Sequence, residues 1–296
     1  MEYIVFHVEG GIGKNIMATV VAENIKLKYP DSKLIVVASW PDVWLHNPNL
    51  YRFYRVGNTP YFHDDFIKDR DTLVFKDDPY SNSRYFKKNM FLSQVWCEMY
   101  DLPYVSTQPK IYLTTLEREE VYLYAKNIGR PFMLLQTCGG SVQNNQFPFS
   151  WFRDMPHIIA EKIINHFHKR YAILHLKYKE QFALNNTIDP GLSLRQIFAL
   201  IPYSQKRLFI DSFAQHAAAA MDTPSAVCWV GNSCKVFGYD LHTNINTQLD
   251  LWSESNYEGY LDSFGLQGPN YACPANYDMK NVFDVNKIIQ ALEKQG

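Results

Sequence analysis

The sequence predicts an α/β protein of two domains, each built on a parallel sheet, and three observations carry that prediction. Short apolar runs of strand length, YIVFHV at Tyr3–Val8 and KLIVVAS at Lys33–Ser39 among them, alternate with longer helical stretches in a βαβ succession. The strand-turn-helix opening occurs twice: Glu9, Gly10, Gly11, Ile12 and Gly13 follow the first strand, and the small-residue turn Thr137 to Ser141 follows a fresh strand at Phe132–Gln136. The length of 296 residues suits two domains of about 150 residues each, and 47% hydrophobic residues suffice for two cores.

In chain order, the first turn leads into a helix from about Lys14 to Tyr29, ended by Pro30 and Asp31. A Walker A reading fails because Val8 and Asn15 stand where Gly and Ser or Thr are needed. The dinucleotide fingerprint lacks its third glycine, whose place Ile16 takes. What remains is a turn that lets backbone approach a ligand, with helix-start N–H groups beside it. From Pro41 to Tyr61 the sequence is aromatic and broken, and His63, Asp64 and Asp65 follow in a loop-like context. With Trp40 and Trp44 this suits an acceptor pocket, weighed against the common use of aromatics to cover a domain edge. Thr72–Phe75 reads as a strand and Leu92–Tyr100 as a helix behind the basic cluster Arg84, Lys87 and Lys88, itself a solvated face. Ile111–Leu113 reads as the last strand, and Glu117–Lys126 as a helix closing the first domain near Gly129.

The second half continues with a helix from Pro148 through Phe167, a strand at Tyr171–Leu176 and a helix at Ser193–Ile201. The stretch Leu208 to Gly231, LFIDSFAQHAAAAMDTPSAVCWVG, is the anchor: an apolar strand stops at Asp211, the helix Ala214–Met221 begins within a turn, and Asp222, Thr223 and Pro224 break it before the run Ser225–Val230. Ligands of open parallel sheets bind at the carboxyl ends of strands, where Asp211, Ser212 and His216 stand. The alternative is that Asp211 or Ser212 caps the helix and His216 is a surface histidine. The expected domains are 1–129 and 130–296, with the helix Val285–Lys294 returning to the first. Two Rossmann-like halves meeting at a cleft is the economical arrangement.

A net charge of −1 and a pI near 6.7 argue against a surface dominated by phosphate-backbone binding, while leaving room for a local basic groove. Five cysteines, none in a C-x-x-C pair, read as buried thiols in a reducing compartment. The start of the chain lacks a signal-peptide pattern and no apolar run approaches eighteen residues, so a soluble, cytoplasmic protein is expected.

The succession GGIGKNIMATVVAENIKLKYPDSKLIVVA (Gly10 to Ala38), then LSLRQIFALIPYSQKRLFIDSFAQHAAAAMDTPSAVCWVG (Leu192 to Gly231), resembles the ADP-heptose:lipopolysaccharide heptosyltransferases, glycosyltransferase family 9. The resemblance runs from Tyr3 to Tyr54 and from Pro131 to Gly238. It implies a GT-B fold, two Rossmann-like domains facing a central cleft, with the acceptor on the N-terminal domain and the nucleotide sugar on the C-terminal one. In that family an Asp, a small hydroxyl residue and a downstream His hold the nucleotide sugar, and they match Asp211, Ser212 and His216. The departures are as specific. Lys14 stands where the family has the Asp that acts as base, Asn145 to Pro148 stands where it has a phosphate-binding Lys, and Phe213 replaces a Gly. Chains with a GGIGK turn are also similar to enzymes of large tailed phages, some of which glycosylate hydroxymethylated bases in their own DNA. The acceptors implied are therefore a glycan, a lipopolysaccharide core or a modified DNA base.

The implied reaction is an inverting transfer from a nucleotide-diphosphate sugar, with no cofactor and no metal. Gly139, Gly140 and Ser141 are the phosphate candidates, joined by the N–H groups after Asp211, and Glu180 is the ribose candidate. Gly11, Gly13, Lys14 and Trp40 belong to the acceptor side. With Lys14 in the Asp position, Glu9 becomes the expected base, His63 and Asp64 its reserves, and Lys14 a charge partner for Glu9. Two other classes stay open. A nucleotide-sugar oxidoreductase or epimerase needs an acidic ribose ligand about twenty residues past the glycines, where Ser39 and Trp40 stand. A catalytically inactive sugar- or DNA-binding module accounts for the missing Asp and Lys.

Overall fold

The run Tyr3–Val8 (β1) is apolar on both of its faces and takes the interior of a parallel sheet, buried at almost every residue. The computed structural model describes residues 1–82, 90–139, 150–178, 181–251 and 276–295. They form two compact units, Met1–Thr115 and Leu116–Gly296.

In the first unit, β1 pairs with Lys33–Ala38 (β2) from Tyr3↔Lys33 to Val8↔Ala38. On its other side it pairs with Thr72–Phe75 (β4) from Tyr3↔Thr72 to Phe6↔Phe75. Leu50–Arg55 (β3) adds the edge beyond β2, giving the order β3-β2-β1-β4. This strand lies within the broken, aromatic stretch from Pro41 to Tyr61. Its LYRFYR sequence is half exposed, as an edge strand permits, so it lacks the continuous apolar signal of its neighbours. Helix Ile12–Lys28 (α1) begins two residues before the expected Lys14, because Gly10 at φ +108° turns the chain and Gly11 takes the extended N-cap position. Two short helices, Pro41–Trp44 (α2) and Phe62–Phe66 (α3), and the longer Leu92–Met99 (α4) complete this unit.

Ile111–Leu113 is not a strand. The segment that contains it runs against α1, whose polar side chains satisfy its backbone. Val105 and Ser106 N–H groups donate to Asn24 Oδ1 (3.0 and 3.2 Å), Asn24 Nδ2 donates to the Ser106 carbonyl (2.8 Å), and Lys110 N–H donates to Thr19 Oγ1 (3.0 Å). Those bonds hold the chain that leads into the run against α1 instead of in a sheet.

The second unit starts with the helix Thr115–Asn127 (α5), not at residue 130. Glu117 pairs with Arg195 (Nη2 to Oε2, 2.8 Å), Gln196 donates to Glu120 (2.8 Å) and Tyr124 donates to the Pro190 carbonyl (3.2 Å). These ties hold α5 to the second unit and move the boundary to Thr115/Leu116. Five parallel strands follow: Phe132–Leu135 (β5), Ala172–His175 (β6), Lys206–Ile210 (β7), Ala226–Trp229 (β8) and Thr243–Asn246 (β9), in the order β6-β5-β7-β8-β9. Sequence reading missed β9, whose TNIN is only partly buried at the sheet edge. His157–Phe167 (α6) begins after Pro156, nine residues later than the Pro148 start that sequence suggested. Leu194–Leu200 (α7) carries a complete capping box between Ser193 and Gln196. Phe213–Ala220 (α8) and the short Cys234–Phe237 (α9) lead to the last strands.

The C-terminal helix Val285–Glu293 (α10) packs on the sheet of its own unit. Ile288 and Leu292 are fully buried in the core with Ile163, Leu208 and Ile245, and Glu293 meets Arg170 (2.5 Å) and His166 (3.1 Å). A strongly one-sided apolar helix finds a partner surface there. No helix among the described residues is long and apolar enough to cross a membrane.

Candidate functional site

Strand order locates the sites. In the second sheet the chain runs from β5 outward to β6, then crosses to β7 on the other side, so the connections leaving the carboxyl ends of the paired strands β5 and β7 run in opposite directions and leave a switch-point crevice. Gln136, Thr137 and Gly139 follow β5, and Asp211 and Ser212 follow β7. The two ends are joined: Gln136 N–H donates to the Leu208 carbonyl (2.9 Å), and Gln136 Nε2 lies 3.2 Å from Ser212 Oγ. A side chain on Gly139 would stand 3.0 Å from Ser212 Oγ and 3.2 Å from Arg153 Cδ, so both neighbours would have to give by a few tenths of an ångström.

Asp211 does not cap α8, whose N-cap Ser212 makes no side-chain capping bond either. Its carboxylate instead accepts from Asn232 Nδ2, on the turn after β8. Burial pushes the Asp211 carboxyl up to about 6, opposed by the nearby positive charge of Arg153. Asn232 Oδ1 and Gln136 Oε1 are buried acceptors without a hydrogen-bond partner among the described residues. Neither Asn232 nor Gln136 stood out in the sequence. The available signal was an amide close behind a strand of a parallel sheet, one residue after β5 for Gln136 and three after β8 for Asn232.

Gly139 was expected to offer its N–H to phosphate, but that N–H donates to Asp154 Oδ1 (2.9 Å) while Ser150 N–H donates to Asp154 Oδ2 (2.8 Å). Asp154 is buried and held up at about 6 by that burial, against the pull of the two N–H bonds and Arg153. Gly139 therefore serves by its small size. Gly140, Ser141, Glu180 and the stretch Asn145 to Pro148 lie outside the described residues.

His216 is buried, not a surface residue. Its ring packs at 87° against Tyr239, with Nδ1 2.9 Å from the Tyr239 hydroxyl, in a buried cluster with Gln215 and His242. Burial, aided by His242, depresses it to about 3. His242 Nε2 donates to the Gln215 carbonyl (2.9 Å), and burial lowers that histidine to about 4. His175, at the end of β6 and 2.9 Å from Thr137 Oγ1, is likewise lowered to about 4, by burial and then by Lys177.

The first sheet has its switch point between β1 and β4. Glu9 ends β1 with its carboxylate largely exposed and 3.5 Å from His7 Nε2. Trp40 Nε1 donates to the Gly10 carbonyl (3.0 Å), which ties the glycine turn to the end of β2. Gly11 caps α1 and Gly13 lies in its first turn. Lys14 is buried and its partner is Asp78, just after β4 (Nζ to Oδ2, 2.5 Å), rather than Glu9. Its ammonium also lies 5.1 Å from the centre of Tyr80 and 5.6 Å from that of Trp96. The bent reach of a long side chain across two strand ends is not readable from spacing, although Asp77-Asp78 directly after a strand marked a carboxylate at that end. Trp44 is fully buried with Nε1 on Asn15 Oδ1 (3.2 Å), so it belongs to the core and not to a pocket. His63 and Asp64 lie in α3 rather than a loop, both well exposed and 3.6 Å apart. The triplet Asp69, Arg70 and Asp71 sits at the amino end of β4, where Asp71 pairs with the N-terminal ammonium (2.9 Å). Among the described residues no three His, Cys, Asp or Glu side chains converge as a metal site, and the four cysteines there are free thiols.

No protein-family profile matches the sequence, and no curated protein gives a significant sequence match. Solved structures do match. A glycosyl transferase family 9 structure from Veillonella parvula is 12% identical with a TM-score of 0.68, covering 99% of this chain and 97% of that one. ADP-heptose LPS heptosyltransferase II of E. coli is 13% identical with a TM-score of 0.63, covering 98% and 99%. TibC of enterotoxigenic E. coli, described as an iron-containing dodecameric glycosyltransferase, is 11% identical with a TM-score of 0.63, covering 99% and 76%. With two parallel sheets in the strand orders given above and a match along nearly its whole length, the chain has the GT-B fold of these glycosyltransferase family 9 and heptosyltransferase structures.

Proposed function

We propose that the chain is a glycosyltransferase that moves a sugar from a nucleotide-diphosphate sugar to a hydroxyl acceptor, inverting the anomeric centre and using no metal ion. The observation that carries this reading is the junction of Gly139, Asp211, Ser212 and Asn232 at the switch point of the second sheet. It is supported by a fold shared along the whole chain with an enzyme named for ADP-heptose. The unpartnered acceptors Gln136 Oε1 and Asn232 Oδ1, with the Asp211 carboxylate, suit the hydroxyl-rich sugar and ribose of such a donor. An oxidoreductase or epimerase has no acidic ribose ligand at the end of β2 to draw on. The acceptor classes carried forward are a glycan, a lipopolysaccharide core and a hydroxymethylated DNA base.

In this reading the acceptor oxygen bonds to the anomeric carbon as the bond to diphosphate breaks, and its proton passes to Glu9, the exposed carboxylate at the end of β1. His63 and Asp64 are the reserves from the same unit, and Asp78 joins them because Lys14, in the position of the family base, holds it at that switch point. Glu9→Gln is expected to keep donor affinity and to lower kcat by about a hundredfold or more. Transfer within a few-fold of the parent moves the role to Asp78, tested next as Asp78→Asn.

The reading as a whole is tested by calorimetry with ADP, UDP and GDP, followed by turnover on the matching sugar donors. At least one nucleoside diphosphate is expected to bind, with release of the sugar to water or to an acceptor. Binding without turnover identifies an inactive module, and binding of none overturns the proposal. Turnover is expected to persist in excess EDTA. Its loss, with recovery on adding a divalent cation, overturns metal independence.

A further inference from the structure

The turn Ser150–Met155 is built into the switch point of the second sheet by three bonds to other elements and is closed by bonds within itself. Met155 N–H donates to the Thr137 carbonyl (2.8 Å) and Gly139 N–H to Asp154 (2.9 Å), which tie it to the end of β5. Gly231 N–H donates to the Phe152 carbonyl (2.7 Å), which ties it to the end of β8, and Ser150 N–H donates to Asp154 (2.8 Å), which closes the turn. The Phe152 ring fills the space where a Gly231 side chain would be, within 2.2 Å of that Cβ position. Because β7 lies between β5 and β8, a turn anchored on both neighbours passes over the carboxyl end of β7, where Asp211 and Ser212 stand.

Arg153 is carried at the middle of that turn. Its stem lies against Gly139, with Cδ 3.2 Å from that residue's Cβ position, and its charge is felt by both Asp211 and Asp154. The side chain is half-buried, yet among the described residues its guanidinium has no hydrogen bond and no ion pair. A cation fixed by its neighbours, beside backbone that approaches closely and with its donors unused, is a site for an anion with several oxygens.

We infer that Arg153 is the residue that receives the diphosphate of the donor, binding it in the ground state and neutralising it as it leaves. The inference rests on the proposed transferase reading for the ligand's identity and on the turn's geometry for the residue. It gives this chain a cation on the turn before α6, placed by the ends of β5 and β8, with five N–H donors in a plane that matches two phosphate oxygens at once.

The test is calorimetry of the full chain and of Arg153→Gln and Arg153→Lys with ADP, UDP, GDP, the matching nucleosides and inorganic pyrophosphate. Arg153→Gln is expected to weaken whichever nucleoside diphosphate binds by about 10- to 100-fold, the scale of a lost charge-assisted pair, while nucleoside binding is unchanged. Arg153→Lys is expected to fall between, since it keeps the charge and loses the fork. Arg153→Lys should melt with the parent and Arg153→Gln slightly below it, since the latter removes no hydrogen bond but does remove a charge near Asp211 and Asp154; if Arg153→Gln fails to fold, the Lys variant and the salt dependence of the parent's affinity carry the test. A parent that binds nucleoside diphosphate while Arg153→Gln binds it within twofold overturns the Arg153 assignment and leaves the transferase reading standing. Arginine-dependent binding of pyrophosphate, with no nucleotide of the panel bound, supports the diphosphate site and removes the nucleotide-sugar reading. Binding of neither by the parent overturns both.

Discussion

Asp211 and Asp154 are carboxyls that burial raises to about 6, while His175, His216 and His242 are imidazoles that burial lowers to about 4, about 3 and about 4. The two sets pull stability in opposite directions. A histidine depressed in the folded state takes up its proton more readily when unfolded, so its contribution is full above about 6.5 and is lost as pH falls toward the folded value. A carboxyl raised in the folded state does the reverse: its contribution is full below its unfolded value near 4 and is lost as pH rises through about 6. Three histidines against two carboxyls leave a net loss on acidification, on the order of 1 to 3 kcal/mol per uncompensated histidine. The melting temperature is therefore expected to fall from pH 6.5 to pH 4, and to fall more steeply in Asp211→Asn, which removes one opposing carboxyl. A parent whose melting temperature is flat over that range, or a variant with the same slope, contradicts this account. The same residues separate binding from structure. Asp211→Ala is expected to weaken nucleoside-diphosphate binding by about 1 to 3 kcal/mol, and His216→Ala to lower the melting temperature while leaving that affinity alone.

At the scale of elements, small residues are set by what packs on them. Gly231 lies under the Phe152 ring, and Gly231→Ala puts a methyl group within 2.2 Å of it. The ring and the turn that carries Arg153 must then move, at a cost of about 1 to 3 kcal/mol. Lower stability together with weaker nucleotide binding is the expected result in denaturation and calorimetry. An unchanged affinity separates the turn from the site. In the first unit the equivalent device is polar. Asn24 supplies the partners for the backbone of Val105 and Ser106, and its side chain is buried within α1. Asn24→Ala leaves those groups unpaired and is expected to destabilise by at least about 2 kcal/mol in urea unfolding, with faster amide exchange at Val105 and Ser106. A change below about 0.5 kcal/mol shows that water replaces the side chain.

For the whole molecule the boundary at Thr115/Leu116 has a measurable consequence. A fragment of residues 116–296 retains the Glu117–Arg195 pair and the α10 docking, whereas one starting at 130 lacks that pair. The longer fragment is expected to fold on its own and to bind the same nucleoside diphosphate as the full chain. The shorter one is expected to be less stable by about 3 kcal/mol, the scale of breaking a buried ion pair. Equal thermal stability of the two fragments places the boundary later.

The sequence by itself determined the class of fold, the interior strands and the glycine turn after β1, because buried parallel strands are continuous apolar runs and glycine at positive φ, as at Gly10, has few substitutes. It also put Asp211 and Ser212 at the end of a strand, since local pattern alone marks where a strand stops and a helix starts. Tertiary structure decided the remainder. The edge strands β3 and β9, the fate of Ile111–Leu113 and the owner of α5 and α10 depend on partners distant in the chain, which no local period encodes. The same holds for side chains. Lys14 chose Asp78 over the nearer Glu9, His216 turned to Tyr239, and Arg153, unremarkable in its sequence neighbourhood, came to the switch point because Gly139 and Gly231 leave room for the turn that carries it. A charge is spent where its long side chain can reach, and reach is a property of the folded chain.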